Sequence, residues 1–324
     1  MTKVWVYAEL TPRGLDSTAL EILTRGRDLA DDLEAVVLGP GAHEAAPALV
    51  AHGATKVFAS DDAVYADHIA QPATHTLHEL VTEHSPDLIA FATNYDSRDV
   101  AGRLSARTRA TLVSNVTDIV SPDRVRTAIF GGTTFVDVEL RGAPRIVLVR
   151  PKSFEARPLE APPGDATQRV EDVDVEVPQE LCRARRVERQ DEAASGPRLE
   201  DAAVVVSGGR GLKDAGNFRL LDDLAAAIGD AAVGATRAVV DSGWVPYAYQ
   251  IGQTGTTIKP NVYIAFGISG ATQHVVGMKG AKRIVAVNKD DEAPILQIAD
   301  LGVVGDALAI LPKLIEEVKA RTGR

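Results

Sequence analysis

A short aliphatic run followed by a segment with helical spacing recurs along this chain, and that alternation most constrains what it can fold into. Val4-Trp5-Val6-Tyr7-Ala8 reads as a first strand, and Leu20, Leu23 and Leu29 predict a helix over 17–33. Strands are expected over 35–38, 56–59 and 88–93, helices over 74–84 and 99–109, and a short strand at Leu112-Val113. Strands joined through helices make right-handed crossovers, so the series predicts a parallel sheet. Aromatic residues are only 5% of the chain, so its core must be mainly Val, Ile, Leu and Ala. That composition suits a parallel sheet covered on both faces.

The period then changes. Residues 135–140 and 145–150 read as strands around Arg141-Gly142-Ala143-Pro144, which predicts an appended antiparallel hairpin. Seven of the 17 prolines fall between Pro144 and Pro197, where Val173, Val175 and Val177 alternate with acidic residues as a strand would. Residues 190–198, with Ser195-Gly196-Pro197, read as a linker. A second series follows, with strands over 203–206, 238–240, 263–265, 284–287 and 301–304. Its helices are expected over 218–228 and 308–321, the latter capped by Asp306. The expected fold class is α/β in two domains. Residues 1–195 form a parallel-sheet α/β domain with an appended antiparallel hairpin, and residues 196–324 a doubly wound, Rossmann-like domain.

Charge and cysteine usage narrow the function. With 35 Lys and Arg against 45 Asp and Glu, the net charge of -10 argues against nucleic acid as a partner. Cys182 is the only cysteine, which excludes an internal disulfide and a CxxC metal site. No apolar run approaches the ~20 residues that span a bilayer. The chain opens directly on a strand with no targeting pattern, so a soluble, cytoplasmic protein is expected.

Glycine points to the second domain as the ligand-binding one, since 16 of 27 glycines lie in residues 201–324, many just after an expected strand. Ligands of open α/β sheets sit at the carboxyl ends of strands, where glycine permits close backbone approach. Ser207-Gly208-Gly209-Arg210-Gly211-Leu212 matches neither the dinucleotide fingerprint nor the P-loop. It is either a structural turn or a phosphate or cofactor contact with Arg210 as its cation. Arg237, in Gly234-Ala235-Thr236-Arg237, is either a solvated charge or a planar cation laid against an aromatic ring system. Gln250-Ile251-Gly252-Gln253-Thr254-Gly255 is a polar turn or a set of donors for a heterocycle. Gly267-Ile268-Ser269-Gly270-Ala271-Thr272-Gln273-His274 follows a strand and opens a helix, where backbone N–H groups hold phosphate. It lacks the nucleophile-elbow spacing. His274 stands far from the other six histidines, so it suits a hydrogen-bond donor better than a metal ligand. Asn288-Lys289-Asp290 and the stretch to Asp306 read mostly as loop structure. In the first domain Gly39-Pro40-Gly41 falls short of a fingerprint because Glu44 takes the third glycine's place.

The order of these motifs says more than any one. Ser-Gly-Gly-Arg-Gly-Leu, Gly-Ala-Thr-Arg, Gln-Ile-Gly-Gln-Thr-Gly, Gly-Ile-Ser-Gly-Ala-Thr-Gln-His and Val-Asn-Lys-Asp, at these spacings, closely resemble the C-terminal domain of the electron transfer flavoprotein alpha (large) subunit. The resemblance is concentrated in 207–306 and extends more weakly through 93–120, with Ser97-Arg98-Asp99, and 146–151.

The resemblance implies that residues 196–324 bind FAD. Arg210 would contact the cofactor, and Thr236, where the family often has Ser, would flank Arg237. Arg237 would lie against the isoalloxazine and stabilise an anionic semiquinone. Gln250, Ile251 and Gly252 would carry Gln253 and Thr254 to the N5/O4 edge. Ser269, Gly270, Ala271, Thr272 and Gln273 would hold the ribityl-pyrophosphate, and His274 would bond near the C2 carbonyl. Asn288 and Asp306 would serve the adenosine end, and Ala307, often Leu in the family, would line the cofactor site by packing. No catalytic residue and no metal is implied, because an electron carrier needs neither. The resemblance also implies an obligate heterodimer with a beta subunit that holds AMP, docked through residues 1–195. Flavin dehydrogenases, such as the acyl-CoA dehydrogenases of fatty acid β-oxidation, would donate electrons, and a membrane quinone oxidoreductase would accept them. Two alternatives are a bifurcating, NADH-oxidising relative with a second flavin and a deoxyhypusine-synthase-like nucleotide-binding domain used as a scaffold.

Overall fold

The computed structural model describes residues 2–11, 14–132, 134–161, 164–188 and 196–323. The chain divides into two units, Met1–Arg189 and Gln190–Arg324. Most of the expected linker at 190–198 lies outside the described residues.

In the first unit, β1 (Lys3–Ala8) passes through a small ladder, β2 (Leu10–Thr11) and β3 (Gly14–Leu15), into α1 (Ser17–Gly26). Asp16 caps α1 by accepting from the Thr18 N–H. The helix expected over 17–33 stops at Gly26, and β4 (Asp32–Leu38) takes over. Gly26 explains the early stop: a Cβ there would lie 2.6 Å from Leu33 Cδ1, so its bare backbone lets the strand's buried leucine pack against the helix end. Next come α2 (Ala42–Ala51), β5 (Lys56–Ser60), the single turn α3 (Val64–Asp67), α4 (Gln71–His84), β6 (Leu88–Ala92) and α5 (Tyr95–Thr108). Then β7 (Thr111–Ser121), β8 (Arg124–Ile129) and β9 (Thr134–Glu139) precede β10 (Arg145–Val149) and β11 (Val170–Asp172).

These strands form one sheet in the order β11-β5-β4-β1-β6-β10-β7-β8-β9. It is parallel except for β8, which pairs antiparallel with β7 and β9. An antiparallel appendage is therefore present, but the two strands of the expected hairpin do not pair with each other. β9 pairs with β8, whereas β10 runs parallel between β6 and β7. Burial accounts for the difference. Ile146, Val147, Leu148 and Val149 are all buried and need neighbours on both sides, whereas β9 is exposed along most of its length. The alternating valines after β11 do not extend it either, although the Val173 N–H still bonds the Ala59 carbonyl and its side chain packs on the core. One core lies under α1 and α2 and another under α4 and α5, so both sheet faces are covered.

The second unit repeats the plan: β12 (Val204–Gly208), α6 (Arg219–Ile228), β13 (Ala231–Ala235), α7 (Arg237–Asp241), β14 (Val262–Phe266) and α8 (Thr272–Met278). β15 (Arg283–Asn288), α9 (Pro294–Ile298), β16 (Leu301–Val304) and α10 (Ala307–Thr322) complete it. Its sheet is wholly parallel, in the order β13-β12-β14-β15-β16. The strand expected over 238–240 is instead the short helix α7, and Ala231-Ala232-Val233-Gly234-Ala235 supplies the strand. Alanine and glycine are poor strand formers, but this position demands small residues. A Cβ on Gly234 would lie 2.3 Å from Ile251 Cδ1 and 2.6 Å from Ser207 Oγ. Among the described residues, no helix is long and apolar enough to cross a membrane.

Candidate cofactor site at the carboxyl edge of the C-terminal sheet

From β12 the chain winds first to β13 on one side and later to β14 on the other. Where winding reverses, the loops leaving neighbouring strands part and open a crevice at their carboxyl ends. The loops after β12 and β14 cross there at backbone contact. Gly209 N donates to Phe266 O at 3.0 Å and Gly211 N to Gly267 O at 3.0 Å. A Cβ on Gly211 would lie 2.5 Å from Gly267 Cα, and Gly267 itself has φ +61°. These glycines thus serve loop packing, while the Arg210 side chain between them is exposed. Its guanidinium has no hydrogen-bond or ion-pair partner among the described residues.

The loop 250–256 is drawn to the same edge. Ile251 N donates to Ala235 O at 2.9 Å and Gln253 N to Gln273 O at 2.8 Å. Gly252, at φ +142°, allows this crossing, since a Cβ there would be 2.8 Å from Gln273 O. Buried Gln250 donates from Nε2 to Thr254 Oγ1 at 3.0 Å, and the Tyr247 hydroxyl bonds the Thr254 carbonyl. Gln253 is held by its backbone and Thr254 by its carbonyl and hydroxyl, and both residues are exposed. Thr236, half-buried in extended backbone, precedes Arg237, the first residue of α7. Arg237 donates from Nε to Asp241 Oδ2 at 3.1 Å, and its terminal nitrogens have no partner among the described residues.

After β14, Ser269, Ala271, Thr272 and Gln273 are exposed, whereas Gly270 is buried with φ +88° and its would-be Cβ 2.4 Å from Ile295 N. His274 turns inward. Its Nδ1 is 3.0 Å from Ile251 O and its Nε2 is 2.6 Å from the Tyr263 hydroxyl. Burial pushes its pKa down to about 4, so the ring is neutral. Both ring nitrogens thus have partners inside the chain.

The far side of the crevice is formed by β15 and β16. Buried Asn288 donates from Nδ2 to Ile268 O at 2.8 Å and accepts from Asp290 N at 3.0 Å, tying two loops together. Asp306 caps α10 through the Leu308 N–H and pairs with Lys213 Nζ at 2.9 Å. Lys213 holds its carboxyl below the usual carboxylate range. Ala307 is buried in the core beneath α10. Sequence reasoning missed three residues here: Lys213, Asp241 and Tyr263. Lys213 and Asp241 adjoin motif arginines at short sequence spacing, but only the fold reveals Tyr263.

The expected cofactor-binding residues thus lie on or beside one edge of the C-terminal sheet. Exposed neutral amides and hydroxyls accompany two guanidinium groups with unclaimed donors, and Asp306 and Asp241 are each paired with a cation. No group of three His, Cys, Asp or Glu among the described residues could hold a metal ion. Such a donor set suits an organic ligand with carbonyl, ring-nitrogen and phosphate acceptors. The equivalent reversal in the first unit, between β1 and β6, is lined differently. Glu9 is mostly buried there, accepting from Ser97 Oγ at 2.7 Å, and Asp16 accepts from Asn94 Nδ2 at 3.1 Å. Carboxylates at that position repel phosphate.

Residues 198–279 match the electron transfer flavoprotein FAD-binding domain, and residues 4–178 match the electron transfer flavoprotein domain. The chain belongs to the electron transfer flavoprotein alpha-subunit family. It is 39% identical to the electron transfer flavoprotein subunit alpha of Mycobacterium leprae (strain TN) across the full length of both chains. It is 40% identical, again over both full lengths, to that of Mycobacterium tuberculosis (strain ATCC 25618 / H37Rv). With the subunit of Syntrophomonas wolfei it shares 34% identity over 98% of this chain and all of the relative. Within this family fold, the FAD-binding domain falls on the unit whose crevice is rich in unclaimed donors, and the other matched domain on the unit whose crevice is lined with carboxylates.

Proposed function

We propose that this chain binds FAD at the carboxyl edge of its C-terminal sheet and carries electrons one at a time as the alpha subunit of a heterodimer. The observation that carries the reading is the pair of guanidinium groups, Arg210 and Arg237, with unclaimed donors around a β12/β14 crevice in a matched FAD-binding domain. FAD supplies the electron storage, and the chain supplies position and charge. Arg237 lies against the flavin and stabilises the anionic semiquinone by fixed positive charge, without a proton donor. Thr236 and the 250–252 backbone frame it, and Gln253 and Thr254 face the N5/O4 edge. Arg210 contacts the cofactor, residues 269–273 take the ribityl-pyrophosphate, and Asn288 and Asp306 serve the adenosine end, with Ala307 packed beside them. His274 bonds near the C2 carbonyl.

Residues 1–195 are the docking scaffold for a beta subunit, which holds AMP, and residues 196–324 are the flavin carrier. Electrons come from flavin dehydrogenases, acyl-CoA dehydrogenases among them, and go to a membrane quinone oxidoreductase. The chain does no substrate chemistry of its own and works in the cytoplasm.

Stepwise reduction of the heterodimer, followed by its visible spectrum, tests this. One FAD per heterodimer and a strong anionic semiquinone signal are expected, with the signal lost but FAD retained in Arg237→Ala. A heterodimer that stays colourless after FAD is added overturns the reading, and two flavins per heterodimer would make it a bifurcating enzyme.

A further inference from the structure

We infer that Lys213 is a positioning residue of the cofactor site: its ammonium closes a circuit of bonds around the carboxyl edge of the C-terminal sheet and fixes Asp306 against the loop that carries Arg210. Three links of the circuit use backbone groups. Gly211 N donates to Gly267 O at 3.0 Å, joining the loops after β12 and β14. Asn288 Nδ2 donates to Ile268 O at 2.8 Å, joining the second of these loops to the end of β15. Gly305 N donates to Asn288 O at 2.9 Å and carries the circuit to the end of β16. The fourth link returns to the first loop through two side chains, where Lys213 Nζ donates to Asp306 Oδ2 at 2.9 Å.

The backbone of Lys213 sets this pair apart from an ordinary surface contact. Lys213 ends the single 3-10 turn Arg210–Leu212, with its N–H on Arg210 O and φ at +68°. Among the described residues of the second unit, no other non-glycine residue has a left-handed backbone. Glycine adopts that conformation freely, whereas a Cβ is crowded in it. A lysine held there by its surroundings points to a use for its side chain. Asp306 is gripped from the other side as well, since Oδ1 accepts from the Leu308 N–H at 3.0 Å. Lys213 foremost, then that N–H and the charge of Lys289, keep the carboxyl ionised. An ionised carboxylate only accepts, and two such bonds leave acceptor capacity on both oxygens. That capacity suits the neighbouring hydroxyls of a ribose.

The match to the adenosine ribose of FAD rests on the proposed function; the circuit does not. The test removes the ammonium without straining the chain. Glycine suits φ +68°, so the Lys213→Gly heterodimer is expected to keep the wild-type urea midpoint while holding FAD about fivefold less tightly, the upper scale of an exposed ion pair. Lys213→Arg, which keeps the charge, is expected to restore most of that affinity. In an Asp306→Asn background, Lys213→Gly is expected to weaken FAD binding no further, because the charge it acts through is gone. Amide exchange at Leu308 in the heterodimer without FAD gives a ligand-free readout, and Lys213→Gly is expected to quicken it. Wild-type FAD affinity in Lys213→Gly overturns the inference. An equal loss in the Asp306→Asn background does so too, because Lys213 would then touch the ligand directly. So does a urea midpoint that falls along with FAD affinity, which would make the lysine a structural residue only. If Leu308 exchange quickens as expected but wild type takes up no FAD, the proposed function fails and the positioning of Asp306 stands.

Discussion

Arg237 gives one of its donors to Asp241 and keeps its terminal nitrogens unclaimed, so the aspartate both aims the guanidinium and dilutes its charge. Asp241→Asn separates the two effects, because the amide oxygen still accepts from Nε while the negative charge is gone. The flavin should become easier to reduce by its first electron, by roughly 0.2–1 kcal/mol, the scale of an exposed ion pair; a spectroelectrochemical titration measures it, and a lower potential would contradict the arrangement. Gly211 presents the opposite case, a residue defined by what it lacks. A methyl group there would meet Gly267 Cα, which is backbone and cannot turn aside. Gly211→Ala should lower stability by about 1–3 kcal/mol, as overpacking does, with a matching fall in the urea midpoint. The sequence already exposes both arginines and the glycine spacing. It cannot separate glycines that admit a ligand from glycines that admit another loop, because that depends on Gly267 arriving from a different strand. Nor could the outward or inward turn of His274 be read, since it is decided by Tyr263 and Ile251, eleven and twenty-three residues away.

Among the elements, α1 carries a buried carboxylate with a measurable consequence. Burial against the segment at 152–154 raises the Glu21 pKa from 4.5 to about 7, despite nearby Lys152 and the Phe154 N–H. A raised carboxyl favours the folded chain only while protonated. Its contribution is full below about pH 4.5 and is lost as pH climbs through 7. Glu21→Gln should therefore stabilise the first unit above pH 7, on the order of 2–3 kcal/mol, and flatten its stability profile between pH 5 and 8. The edge strand β11 has a titrating tie of the opposite charge type. His43 bridges Asp172 at 2.6 Å and Asp61 at 2.7 Å, and these bonds, that to Asp172 foremost, raise its pKa. The bridge is intact below the ordinary histidine value of 6.5 and is lost as pH rises through the raised one. Hydrogen exchange at Val170–Asp172 should accelerate over that rise, and His43→Gln should remove the pH dependence. Element types were legible where period and flanking residues agreed, as in β1, β6, α4 and α10 with its Asp306 cap. They were misread where tertiary demands override propensity: β13 is a strand built of alanine and glycine, and Val239-Val240 belong to a helix.

Over the whole molecule, the described residues form buried clusters within each unit. A ligand that binds the second unit should stabilise that unit's core. FAD at a hundredfold excess over its dissociation constant should slow exchange of the deepest amides of β12, β14 and β15 by the equivalent of about 2.7 kcal/mol. Unchanged exchange of those amides would contradict FAD binding at that sheet. The nine-stranded sheet has a further consequence that belongs to its making rather than its working. Strands β5, β4, β1 and β6 have all been translated by residue 92, but β7 and its antiparallel companions join them solely through β10, which comes last of the group. At the pace of a ribosome, roughly 5–20 residues per second, the nascent chain spends several seconds with β6 and β7 each lacking a neighbour. Open apolar edges of that kind invite pairing with other chains. A chaperone that shields nascent chains should therefore matter most to this protein between the synthesis of residues 92 and 149, and a ribosomal stall in that interval should send more of it into aggregates than a stall anywhere later.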